Sequence, residues 1–150
     1  MTKSEIKTIL IEACRKKFLQ SISDLETVMA DAQQQANDYG APKDRYDAFR
    51  AQLMRRRDMM AQQLSKEMNE LKVLDRLDPK KIIDKVEFGA IVVTTDQNYF
   101  ISVGLGKLET ADQCFFAISP MVPICQAMIG KRKNEIFIFR DKKIALLDIY

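Results

Sequence analysis

The chain has 150 residues with a net charge of +3, 47% hydrophobic and 30% charged, a globular balance sized for one medium domain or two small ones. It contains no His, which excludes Ser-His-Asp and Cys-His nucleophilic engines and His-ligated zinc. A charge so near neutrality also excludes a strongly basic body that grips nucleic acid through phosphates alone.

Residues 1–37 lack Gly and Pro. Thr2-Lys3-Ser4-Glu5 has the form of a capping box, in which Thr2 caps a backbone N–H and Glu5 reaches back. Phe18, Ile22, Leu25, Met29, Ala32 and Ala36 then follow a 4-3-4-3-4 spacing, the seam of a coiled coil. Asn37–Pro42 breaks this helix, and a second helix is expected roughly from Pro42 to Leu74, with Tyr46, Phe49, Leu53, Met60, Leu64, Met68 and Leu71 as its apolar positions. Two long helices joined by a short turn predict an antiparallel hairpin over 1–77. Met54, Met59, Met60 and Met68 read as its core packing, and Arg55-Arg56-Arg57 as a solvated face.

Pro79 ends the helical pattern, and 78–85 reads as a linker. From residue 86 the period becomes that of strands. Val86–Thr94, Tyr99–Val103, Gln113–Ile118, Glu135–Phe139 and Lys142–Ile149 are the candidates, with one short helix over Val122–Ile129 opened by Pro123 and closed by Gly130. Gly104-Leu105-Gly106 reads as a strand end or turn. The class is therefore α+β: a helical hairpin, then a small β-rich domain over 86–150. Cys14, Cys114 and Cys125 show no CxxC spacing and read as reduced, buried hydrophobes. No apolar run approaches about 20 residues, so a soluble, cytoplasmic protein without membrane contact is expected.

Two stretches carry a resemblance. Ile118-Ser119-Pro120-Met121-Val122-Pro123-Ile124-Cys125-Gln126-Ala127-Met128-Ile129-Gly130-Lys131 is similar to I-S-x-x-S-P-I-x-x-A-L-I-G-K, and Val86-Glu87-Phe88-Gly89-Ala90-Ile91-Val92 to V-x-F-G-A-x-V. With the preceding hairpin they make the chain resemble the bacterial GreA/GreB transcript-cleavage factors. The resemblance implies an FKBP-like C-terminal domain that docks on the rim of the secondary channel of bacterial RNA polymerase, and a hairpin that enters the channel. Acidic residues at the hairpin tip, beside the nascent RNA 3′ end, then help hold a Mg²⁺ shared with the polymerase, which hydrolyses backtracked RNA. Such a protein is not itself an enzyme, takes no small-molecule substrate and binds no cofactor tightly. Mg²⁺ takes oxygen ligands and keeps waters, so one or two tip carboxylates suffice and no His is needed.

Residue by residue, the tip motif G-D-L-K-E-N meets Gly40-Ala41-Pro42-Lys43-Asp44-Arg45. Asp44 matches the second acid, and Ala41 replaces the first. Asp38 and Asp47 are secondary candidates to supply the missing oxygen, although neither matches its position. Asp44 also has a plainer role, since a carboxylate in a helix's first turn offsets the helix dipole by roughly 0.3–1 kcal/mol. The rim-docking loop corresponds to Pro120, Met121, Val122 and Pro123, with Val122 in place of the usual Ser. Lys131-Arg132-Lys133 reads as a solvated turn, and Asn134 as a residue tolerant of left-handed backbone. Three other readings remain open: a coiled-coil adaptor whose hairpin pairs with another chain, a channel-binding regulator without cleavage activity, and a prolyl isomerase or peptide binder supported by fold analogy alone.

Overall fold

The structure, a computed structural model, describes residues 2–38, 44–110 and 112–150. Its elements are α1 (Lys3–Asp38), α2 (Asp44–Asp75), β1 (Ile91–Thr94), β2 (Asn98–Ile101), β3 (Gly106–Glu109), β4 (Cys114–Ile118), α3 (Pro123–Met128), β5 (Ile136–Phe139) and β6 (Lys142–Ile149). A long N-terminal helical region followed by a mixed six-stranded sheet with one short helix makes the chain α+β. Two compact units emerge, Lys16–Lys72, and Met1–Arg15 together with Val73–Tyr150.

The start of α1 is the expected capping box. The Glu5 N–H donates to Thr2 Oγ1 at 3.1 Å, and the Thr2 N–H donates to Glu5 Oε2 at 3.0 Å. Two donors that the first turn leaves unpaired are thereby satisfied.

Within Lys16–Lys72 the predicted seam is the inner face. Phe18, Ala32 and Ala36 are buried, and Ile22, Leu25 and Met29 half-buried. From α2 come buried Leu53 and half-buried Met60, Leu64 and Leu71. Ser21 Oγ donates to Glu67 Oε1 at 2.9 Å, and Arg57 Nη1 to Gln33 Oε1 at 2.7 Å. Residue numbers rise along one helix as they fall along the other, so the two pair in opposite directions. Phe49, Met59 and Met68, expected in the core, are exposed. Half-buried Arg57 and Glu67 take inward positions on α2 and bond to α1, so the apolar stripe is thinner than its spacing implies.

In the other unit, Leu10, Ile11, Cys14 and Leu74 are buried, and the sheet runs β3-β4-β2-β1-β6-β5. Neighbours are antiparallel except β2 and β4, which are parallel. Val92, Tyr99 and Ile101 pack with Phe137, Ile144, Leu146 and Ile149, closed over by Cys125 and Met128 of α3. Arg140 (φ 51°) and Asp141 (φ 64°) join β5 to β6 through consecutive left-handed residues, the geometry that follows strand twist.

Two strand expectations are corrected. The first strand begins at Ile91 rather than Val86, because Gly89 turns the backbone left-handed (φ 91°). Gly106–Glu109, of which the sequence reading covers only Gly106, as a strand end or turn, is a sixth strand on the β4 edge. Its only buried side chain is Leu108, so alternation leaves almost no apolar signal.

Gly89 also admits a close approach. A Cβ there would stand 3.1 Å from Leu77 Cδ2 and 3.7 Å from Ile83 Cδ1. Gly89→Ala combines backbone strain with this crowding and is expected to cost about 1–3 kcal/mol in urea denaturation. An unchanged midpoint would contradict the approach.

Candidate functional site

The loop aligned with a docking surface is built by local hydrogen bonds. Ser119 begins it: its Oγ accepts the Met121 N–H at 3.1 Å, and its carbonyl accepts the Val122 N–H at 3.3 Å. Val122 then holds extended backbone (φ −70°, ψ 150°) as the residue before α3. Val has no side-chain oxygen to cap a helix, and none does so here. Pro123 opens the helix at a position where its missing N–H costs nothing. Gln126 closes the loop from below, its N–H donating to Val122 O at 3.0 Å and its Nε2 to Pro120 O at 2.6 Å.

The far side of α3 is tied to the sheet unit. Ile129 N–H donates to Cys125 O at 2.8 Å, and Gly130, at φ 81°, donates its N–H to Val86 O at 2.8 Å. Val86 N–H returns to Lys131 O at 2.8 Å. Cys125 and Met128 anchor the helix as fully buried side chains, and burial pushes the Cys125 thiol above its ordinary value. Cys14 is likewise buried, whereas Cys114 is only half-buried.

Four residues are thus presented on a fixed frame. Met121 is 79% exposed and Pro123 exposed, while Pro120 and Val122 are half-buried. Ile129, at the end of α3, is also exposed. No residue of 119–123 carries a titratable side chain. The loop therefore presents an apolar contact surface with no charged side chain.

Arg132 and Lys133 are less free than a solvated turn implies. Arg132 Nη1 donates to Asp84 Oδ2 at 2.7 Å, and its backbone N–H to Glu135 Oε2 at 3.1 Å. Lys133 Nζ stands 3.9 Å from Asp148 Oδ1. The hydrogen bond from Arg132, and then its charge, hold the Asp84 carboxyl below the ordinary carboxylate range. Asn134 takes the left-handed backbone expected of it (φ 72°). Arg55 and Arg56 are exposed, and only Arg57 of that triplet reaches across to α1.

At the other candidate site, Asp44 is the first residue of α2 and Asp38 the last of α1. Asp38 is exposed, and its Oδ1 accepts from Gln34 Nε2 at 2.9 Å. Gly40, Ala41, Pro42 and Lys43, with the side chains of Asp44 and Asp47, lie outside the described residues. Among the described residues no group of three or more acids or cysteines is placed to hold a metal, and no helix is long and apolar enough to cross a membrane.

The chain matches no protein-family model, and no curated protein matches it in sequence. Among solved structures it is similar to GreA factor homolog 1 (Gfh1) of Thermus thermophilus, at 13% identity and a TM-score of 0.34, over 92% of this chain and 95% of that one. Gfh1 of Thermus aquaticus gives 12% identity and a TM-score of 0.33, over 93% and 95%. Likeness of this degree establishes neither family nor activity.

The Asp84–Arg132 pair yields a signed pH dependence. A carboxyl depressed on folding stabilises above its unfolded pKa, and that contribution is lost as pH falls through the folded value. Asp84→Asn is expected to be less stable than the parent at neutral pH, with the gap closing in acid below the carboxylate range. Denaturation at both conditions measures it, and a gap independent of pH contradicts it.

Proposed function

We propose that this protein is a Gre-like factor that acts on bacterial RNA polymerase through the secondary channel. In this reading the sheet unit is FKBP-like and docks through Pro120, Met121, Val122 and Pro123, while the helical hairpin brings its tip toward the RNA 3′ end. The observation that carries it is the coincidence of motif and geometry at 118–131. The stretch resembling the family is one in which Ser119, Gln126, Gly130 and Val86 hold a loop rigid while Met121 projects. A rigid frame lowers the entropy lost when a contact loop binds, which is what a docking surface requires. The pairing of α1 and α2 in opposite directions supports the hairpin half of the reading.

The protein acts here as an assistant to the polymerase's own hydrolysis and not as an enzyme alone. Asp44 is the tip carboxylate assigned to the chemistry. One carboxylate fits a Mg²⁺ held mainly by a second protein and by RNA, since that ion keeps waters and takes few protein ligands. A lone carboxylate does not by itself make a resident metal site, which needs more ligands from the protein. When bound, the ion supplies charge stabilisation and an activated water. Ala41 in place of the first acid favours a second reading, in which the factor occupies the channel and alters elongation without stimulating cleavage.

A backtracked elongation complex made with bacterial RNA polymerase separates these readings. With the protein added, RNA shortened from its 3′ end is expected, and Asp44→Ala is expected to reduce that shortening by on the order of tenfold or more. Altered elongation with uncut RNA selects the second reading. A complex unaffected by the protein in either respect rejects both.

A further inference from the structure

Lys7, on the first turns of α1, is only 3% exposed. Its Nζ donates to the Lys81 carbonyl at 3.3 Å, and it forms no ion pair among the described residues. An ammonium has three donors, so the one acceptor leaves two unused, and a buried charge without a counter-charge is costly. Desolvation, and then the charge of Lys81, lower the Lys7 pKa, with Asp78 and Glu87 in part opposing.

The same side chain lines a cavity of about 360 Å³ within the sheet unit, a volume in the range of small-molecule sites. Lys3, Lys80 and Lys81 line it too, and no Asp or Glu side chain does. Two of these charges are already matched: Lys3 by Asp148 at 3.3 Å, and Lys81 by Glu87 at 3.6 Å. Lys80 is exposed and has no acidic partner among the described residues. Two positive charges without an ion pair among the described residues, one buried and one exposed, therefore stand around one cavity, with Asp78 and Glu87 acting on Lys7 only from a distance. Its remaining wall includes Ile83, Ile149 and Tyr150.

We propose that this cavity binds a small phosphomonoester, its dianionic phosphate on Lys7 and Lys80 and its organic part against Ile83, Ile149 and Tyr150. A phosphate matches the two free charges and the unused donors of Lys7, which a single carboxylate would neutralise only by half. The apolar wall adds selectivity for an organic phosphate over the inorganic ion.

Calorimetric titration of the full chain at fixed ionic strength tests this, with phenyl phosphate and inorganic phosphate as probes. Phenyl phosphate is expected to saturate one site and to bind about tenfold more tightly than inorganic phosphate. Lys7→Met is expected to abolish binding. Lys80→Ala, which removes only an exposed side chain, is expected to weaken it about tenfold and serves should Lys7→Met fail to fold. Absence of saturable binding by phenyl phosphate, equal affinity for the two probes, or unchanged binding in Lys80→Ala overturns the proposal.

Discussion

Much of the sheet unit depends on the backbone of residues 86–91, and that path depends on Gly89. A residue without a side chain, at φ 91°, lets Leu77 and Ile83 lie against the chain where it enters the sheet. The same turn aims the Gly89 N–H at Ile101 O, 2.7 Å away, and the Ile101 N–H returns to Ala90 O at 2.9 Å. This sets the register of β1 on β2, with Ile91 opposite Phe100. Ile91 also exchanges hydrogen bonds with Tyr150, at 2.7 and 3.0 Å, which ties the end of β6 to the start of β1. Val86 holds the turn after α3 from the other side. One short segment thus joins both central strands and the helix that carries the exposed loop.

The loop at 119–123 combines its own hydrogen bonds with that segment. Ser119 and Gln126 hold it locally, and α3 ties it through Gly130 to Val86. Met121 is left outside, a large flexible apolar side chain on a stiff support. Such a residue adapts to a partner's surface at low cost while its backbone stays in place. With no titratable group in the loop, any chemistry linked to it must come from elsewhere in the chain or from the partner.

Local sequence rules made several elements readable. Thr2 and Glu5 spell a capping box over four residues, Pro123 and Gly130 bracket α3, and Asn134 takes left-handed backbone as only a few residue types do. The heptad seam from Phe18 to Ala36 was legible because one period runs for five steps. The α2 face was less so: Arg57 and Glu67 turn inward because they find partners on α1, and no periodicity of apolar residues encodes that. β3 is not legible in the sequence, because a four-residue edge strand with one buried side chain has no pattern to read. Arg132 with Asp84, and Lys7 with Lys81, join residues 48 and 74 positions apart. Their pairing is a product of the fold, and a single sequence cannot supply it. The loop at 119–123 was readable through the motif it resembles, whereas its exposure pattern belongs to the structure.

The central claim is that the loop before α3 docks on bacterial RNA polymerase. Its most direct measurement is equilibrium binding of the full chain to polymerase core enzyme by sedimentation, with Met121→Asp beside the parent. The account predicts saturable binding by the parent and on the order of tenfold weaker binding by the variant, whose denaturation midpoint stays with the parent's. A parent that does not bind, or a variant that binds as well, contradicts it.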